Sequence, residues 1–404
     1  MIWLTHPFGN ANVRAVLKGF DENNLLEFFW TTIGLSSGKL NSIDHLKRRL
    51  FTLKKAQIRS YPSREIIRHF SQKINFQWLI RHEVGWASVD QVWRSLDRSV
   101  ALNLKKAKKL PSLVYHYEDG ACETFRVAKS KGIRCIYDLP IGYWKKADRV
   151  IDYEKNHNPE FFGMMEGGGD SLEKKERKEE EILLADRIIA CSPFVRESLI
   201  TEGVPAEKIF QVQFGSPTVS ESKLTRSMDL HRKIRLLFVG RIDQRKGIGY
   251  LWRVLKNNHW GKSYTLHMIG VMPKNQEPIR PYCDLFTHQN SCSKEEVLRQ
   301  MREADLLVLP TLFEGQALVI LEAMASGIPV LTTTASGASE VIREGIDGWI
   351  IPSHNENALA ERLETILKDR EQLPEMGISA AQRARSYSWE SYGKEIVKIC
   401  NGIN

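Results

Sequence analysis

Between Leu306 and Pro329 the chain must change backbone geometry twice within a short span. The apolar run Leu306 to Leu309 reads as a buried strand and ends at Pro310, which has no amide hydrogen for a sheet ladder. Phe313-Glu314-Gly315 forms a loop, and a helix is expected from near Gln316 until Gly327 and Pro329 stop it. The first turn of such a helix leaves backbone N–H groups unpaired at the positive end of the helix dipole, a natural seat for phosphate. Glu314 precedes the helix and Glu322 lies well inside it, so two carboxylates can flank whatever the amides hold. Carboxylates repel an anion, so their natural partners are neutral hydroxyls. A phosphate between hydroxyl-bearing groups describes a sugar nucleotide. The plainer alternative is a solvated acid and a helical glutamate in an ordinary strand–loop–helix unit. The apolar Ala323-Met324-Ala325 after Glu322 argues against it.

Strand-like and helical runs alternate along the whole chain, which predicts an α/β fold with parallel sheets. In the first half the strands are Ile2 to Leu4, Leu113 to Tyr115, Arg134 to Tyr137 and Arg187 to Ala190. From Gly34 to Lys109 the pattern is helical and irregular, with Trp78, Trp86 and Trp93 assigned to packing, and Asp152 to Asp170 reads as a mobile loop. A second set begins at Ile234 to Gly240 and continues at Tyr264 to Gly270, Asp305 to Leu309, Pro329 to Thr333 and Gly348 to Ile351. A capping box, Ser293 with Glu296, opens one of the intervening helices. With 404 residues, two domains are expected. The boundary falls near Gln213-Phe214-Gly215, giving domains 1–213 and 214–387 around a central cleft.

The formal charge of +9 is unevenly spread. Lys47, Arg48, Arg49, Lys54, Lys55, Arg59, Arg64 and Arg68 face only Asp44 and Glu65 between positions 41 and 70, and Lys105, Lys106, Lys108 and Lys109 form a second cluster. With Leu46, Leu50, Phe51, Leu53 and Ile58 interleaved, an amphipathic helix on an anionic membrane surface is one reading, and a solvated face of a core helix is the other. Nothing accompanies these clusters that resembles a nucleic-acid recognition motif, so nucleic acid is not an expected partner. The mixed run Glu173 to Glu181 reads as a solvated helix face. Cys122, Cys135, Cys191, Cys283, Cys292 and Cys400 include no C-x-x-C pair, which suits reduced thiols. No apolar run reaches the ~18 residues that span a bilayer, and Met1 to Pro7 reads as a strand rather than a signal peptide. The expectation is a cytoplasmic protein with a peripheral position on the inner face of the membrane.

The strand Ile234–Val239 runs into Gly240-Arg241-Ile242-Asp243-Gln244-Arg245-Lys246-Gly247. Arg241 at the strand's end and Lys246 five residues later could clamp a diphosphate, Arg bidentately and Lys as a point charge. Exposed turn cations are the alternative for this loop taken alone. Gly240-Arg241 to Lys246-Gly247, followed by Glu314 and Glu322, resembles the donor half of retaining GT-B glycosyltransferases of family four. Ala190-Cys191-Ser192, Glu181 with Ala185-Asp186, and Asp347 to Pro352 are similar to the same family. The resemblance covers about Glu180 to Tyr392.

It implies two Rossmann-like domains and a final helix, Ser388 onward, that returns to the first domain. Arg241 and Lys246 would hold the donor diphosphate, Glu314 the sugar hydroxyls and Glu322 the ribose. The amides of Gly315, Gln316, Ala317, Leu318 and Val319 would hold sugar and phosphate, beside Gly240. In the first half only Gly9 matches the family's glycine-rich loop, and it is expected near the phosphate. Either His116 or Tyr117 would occupy the family's polar catalytic position, and Asp138 falls where relatives carry His-Asp. Glu118 and Asp138 are candidates for acceptor contacts. No D-x-D sequence occurs, so neither metal nor cofactor is expected. The expected reaction is retaining transfer of a sugar from a nucleotide sugar, UDP before GDP, to a glycan or lipid-linked hydroxyl in cell-surface polysaccharide or glycoconjugate synthesis. Three readings compete with it: a sugar-nucleotide epimerase, a disaccharide synthase on the same fold, and a non-catalytic sugar-nucleotide-binding subunit.

Overall fold

The computed structural model describes residues 1–36, 49–165, 167–217, 229, 231–258, 260–261 and 263–402. Among the described residues fifteen strands run in chain order: β1 (Ile2–Thr5), β2 (Leu26–Thr31), β3 (Leu35–Ser36), β4 (Leu50–Phe51), β5 (Gln57–Ser60), β6 (Leu113–Tyr117), β7 (Arg134–Leu139), β8 (Arg187–Ala190), β9 (Ile209–Gln211), β10 (Ile234–Val239), β11 (Tyr264–Ile269), β12 (Thr287–Gln289), β13 (Leu306–Leu309), β14 (Val330–Thr333) and β15 (Gly348–Ile351). They form a seven-stranded sheet, β5-β2-β1-β6-β7-β8-β9, a six-stranded sheet, β12-β11-β10-β13-β14-β15, and the small pair β3-β4. Every pairing between these strands is parallel. Helices cover both faces of such sheets, which is why their central strands are nearly continuous apolar runs. No helix among the described residues is long and apolar enough to cross a membrane.

Each sheet organises its own core. The helix Trp389–Asn401 crosses back and packs Tyr392, Ile396 and Val397 into the first, against the helix Ala11–Glu22. There it meets Asp138 on β7, whose Oδ2 accepts from the Tyr115 hydroxyl at 2.6 Å and the Tyr392 hydroxyl at 3.3 Å. Burial pushes the Asp138 carboxyl up to about 7 against the pull of these phenols. The sign follows: the folded state binds the proton that the unfolded chain releases near pH 3.9, so this stabilisation is complete below that pH and is lost as pH rises through about 7. Asp138→Asn keeps the amide packed without an ionisation, so the variant gains on the wild type by roughly 3–4 kcal/mol between pH 4 and pH 8. Urea unfolding midpoints at the two pH values test this, and parallel shifts in both proteins would refute it.

Several elements depart from the sequence reading. The stretch expected to be irregularly helical contains β4 and β5, with β5 pairing alongside β2 at the sheet edge. Residues 41–48 lie outside the described residues, and 49–62 hold strands rather than an amphipathic helix. Phe51 is buried against Phe29, and Arg49 bonds the Pro7 carbonyl and pairs with buried Glu65, so both serve the core. The expected mobile loop Asp152 to Asp170 begins as the helix Trp144–His157 and continues as the helical turn Pro159–Phe162. Phe161 and Met164 are buried in the second core although they come from the first half of the chain. The expected solvated face at Glu173 to Glu181 buries Lys174, Lys178 and Glu181. Pairing makes that tolerable: Lys178 meets Glu118, Asp119 and Asp170, and Glu181 accepts from the amides of Asp119, Ala121 and Cys122.

Candidate functional site

The carboxyl ends of the two sheets face each other, the edge at which parallel sheets present their loops. Contacts between the loops fix this: Ile141 after β7 bridges to Gly315, the Gly142 amide donates to the Glu314 carbonyl at 3.2 Å, and Ser192 Oγ donates to the Gly315 carbonyl at 2.5 Å. Phe194 packs edge-on against Phe313, with ring centroids 5.7 Å apart. Glu314 therefore sits where the two halves meet.

On the second sheet, β10 ends at Gly240, and the turn Gln244–Lys246 follows, capped by Asp243 Oδ1, which accepts from the Lys246 amide at 3.0 Å. Gly247 closes the turn at φ 70°, and a Cβ there would lie 1.8 Å from the Pro310 carbonyl oxygen, so glycine is required. The consequence is positional. Lys246 Nζ pairs with Glu314 Oε1, and Arg245 Nη1 reaches the Phe313 carbonyl at 3.1 Å and Glu314 Oε1 at 3.5 Å. Thr311 Oγ1 adds a contact to the same carboxylate at 3.4 Å. Gly240 lies beneath the Lys246 stem, 3.8 Å from Cε to a Cβ built on it. Arg241 leaves the end of β10 exposed. Glu154, fully buried, accepts from Gln244 Nε2 at 2.6 Å, Tyr250 Oη at 2.7 Å and Asn158 Nδ2 at 3.1 Å. A helix from the first half thus holds the turn that aims both cations.

The helix expected from Gln316 begins at Leu318 and ends at Ala325. Its N-cap, Ala317, has no side chain that can cap the amides of the first turn. The Ala317 amide itself donates to the Ser336 carbonyl at 3.0 Å, which corrects its assignment to a ligand. Gln316 is turned inward as well, its Oε1 accepting from the Phe214 amide at 2.7 Å. Glu322, one face along, pairs with Lys294 Nζ at 2.9 Å.

On the first sheet the assignments divide by depth. His116 is fully buried, with Nδ1 2.6 Å from the Gly120 carbonyl and its ring against Phe125. Burial holds its pKa below the usual range, and it takes no part in the cleft, so its catalytic assignment is corrected. Tyr117 and Asp138 are corrected likewise: both are buried among Tyr115 and Tyr392 on the face that receives the final helix. Alternation explains this, since residues within a strand point to its two faces and only those past its end face the cleft. Glu118, the first residue beyond β6, does face it. Burial raises its carboxyl above the usual range, against the pull of Lys178 at 3.2 Å. Gly9 is packed against its own domain, where a Cβ would lie 2.7 Å from the Phe51 ring.

Glu118 lines a cavity of ≈ 330 Å³ with Ile141, Trp144, Ile151, Arg245 and Phe313. Its walls are largely apolar, with charge confined to Glu118, Lys175, Lys178, Asp148, Asp170 and Arg245. Sequence reasoning missed Arg245 and Trp144. Arg245 stood beside Lys246 in the motif, whereas Trp144 carried no signal before the helix that presents it was known.

The family described as glycosyl transferases group 1 matches residues 233–369. An amylovoran biosynthesis glycosyltransferase, AmsK of Erwinia amylovora, is 32% identical over 43% of this chain and 45% of its own. A D-inositol 3-phosphate glycosyltransferase of Paenarthrobacter aurescens is 26% identical over 55% and 59% respectively. The chain thus spans about half the length of these curated relatives. Among solved structures, HepE of Anabaena in complex with UDP covers both chains fully at TM-score 0.64 and 13% identity. The apo lipopolysaccharide outer core galactosyltransferase WaaB gives 0.62 at 15% over 100% of this chain and 99% of its own. The two facing sheets are the GT-B fold.

Proposed function

We propose, for a chain whose residues 233–369 belong to the group 1 glycosyltransferases, that it transfers a sugar from a nucleotide-sugar donor to an acceptor hydroxyl with retention of configuration. The observation that carries this is the convergence of Lys246 and Arg245 on Glu314, at the seam of two sheets and just before the helix that begins at Leu318. UDP is the favoured base, supported by the UDP and UDP-glucose complexes of HepE. The acceptor belongs in the cavity beside Glu118, Trp144 and Phe313, whose apolar walls suit a lipid-linked saccharide over a free sugar.

The acceptor oxygen attacks the anomeric carbon on the face from which the nucleoside diphosphate departs. One C–O bond forms as the C–O bond to the β-phosphate breaks, and that phosphate takes the acceptor's proton. Lys246, with Arg245 and Arg241 nearby, stabilises charge developing on the leaving group without a metal. Glu314 accepts from the donor sugar's hydroxyls, and Glu322 from the ribose.

Calorimetric titration of UDP, GDP and ADP against wild type and Glu322→Ala tests this reading. UDP binds best, and the variant loses about ten- to a hundredfold in affinity, the range expected for hydrogen bonds to a charged acceptor. No binding of any nucleotide by folded protein would instead favour a non-catalytic subunit.

A further inference from the structure

The helix Ser63–Lys73 is built inside out. Its buried residues are Glu65 and Ser71, while Ile66 is 54% exposed and Phe70 61%. The chain beyond it continues the theme, exposing Ile74, Phe76, Trp78, Val84 and Trp86, with Trp78 at 63% and Val84 at 70%. Elsewhere exposed apolar side chains are scattered, the normal condition of a protein surface. Trp78 and Trp86, expected to pack inside, are therefore on the outside.

The charges of this stretch are sorted by sign. Its carboxylates are held by the protein: Glu65 pairs with Arg49 and Arg68, and Glu83 accepts from the Ser171 amide at 3.0 Å. Lys73 and Arg81 are exposed, and the Arg64 guanidinium lies 4.4 Å over the Trp86 ring. An isologous contact with a second copy would set this basic rim against itself. An anionic lipid surface meets both features at once, taking the aromatic and aliphatic side chains at its headgroup boundary and pairing the cations with phosphates.

The patch also adjoins the acceptor cavity. His82 Nε2 lies 3.6 Å from Asp170, and the Glu83 contact to Ser171 fixes the neighbouring residue. Asp170 and Gly168 line the cavity. We infer that residues 63–86 dock the protein on an anionic phospholipid bilayer with the acceptor cavity opening beside the headgroups. That the docked cavity receives a lipid-linked acceptor rests on the function proposed above. The docking itself does not.

Co-sedimentation with vesicles of phosphatidylcholine, pure or mixed with phosphatidylglycerol, tests it. Wild type binds the mixed vesicles, and Phe70→Ser/Trp78→Ser and Lys73→Glu/Arg81→Glu each lower binding about tenfold or more. UDP affinity stays unchanged in both, which shows that the variants are folded and separates this result from failure of the donor site. Trp78→Phe retains binding. Equal sedimentation of all variants would overturn the inference. So would a wild-type dimer, seen by analytical ultracentrifugation, that the same substitutions convert to monomer.

Discussion

Lys246→Ala lowers turnover by about two to three orders of magnitude, the usual consequence of removing a preorganised group from a developing negative charge. Nucleotide affinity falls much less. The argument rests on how the ammonium is held. Asp243 caps its turn, buried Glu154 grips Gln244 two residues before the lysine, and Gly247 lets the chain pass the Pro310 carbonyl. The stem is thus fixed at its base, and the ammonium is steadied by Glu314 before any substrate arrives. A diphosphate in the cleft would share that cation with Glu314, and its call on the charge grows as the sugar leaves. Lys246→Arg keeps the charge but spreads it over a planar fork, so it recovers part of the rate. Single-turnover measurements with the preferred UDP-sugar separate chemistry from binding. Unchanged turnover in Lys246→Ala would remove the residue from the reaction.

What the sequence disclosed and what it concealed follow from different physics. The segment from β13 through Glu322 was legible because Pro310, Gly315, Gly327 and Pro329 each restrict the backbone in a way that composition cannot disguise. β5 was not legible: Gln57, Arg59 and Ser60 are exposed on an edge, so no apolar alternation marks the strand. The helix Ser63–Lys73 has the right period with the opposite sense, and periodicity cannot say which face is buried. The family resemblance placed His116 or Tyr117 in the cleft and a probable strand end placed Asp138 there, yet each is still within its strand, and only Glu118 has passed the edge. Lys174 and Lys178 read as solvated because charge ordinarily avoids the interior. Their partners Glu118 and Asp119 are remote in sequence and became visible only once the chain was folded, and Asp170, one turn before Lys174, joins the same cluster.

Gly315→Ala should separate the two halves of the molecule while leaving every charged side chain assigned to the donor unaltered. A Cβ at this position would lie 1.8 Å from the Pro140 carbonyl oxygen and 2.9 Å from Ile141 Cα. Both neighbours are backbone, so no flexible side chain can move aside. Backbone displacement of that kind typically costs about 1–3 kcal/mol or more. The cheapest relief is to pull the loop away from β7, which sacrifices the Gly142 amide bond to Glu314 and the Ser192 bond to the Gly315 carbonyl. Those contacts help close the cleft, and Glu314 is carried with the loop, so the Lys246 and Arg245 cluster loosens at the same moment. The expected result is a larger radius of gyration in small-angle scattering and a loss of turnover of at least about tenfold, as misplacement of reacting groups predicts. Glu314→Gln is the useful contrast, since it removes the charge while leaving the bridge at Gly315 in place. That variant keeps the compact scattering profile and loses rate. Wild-type dimensions and rate in Gly315→Ala would show that the loop yields locally and that the seam between the sheets is held by something other than this contact.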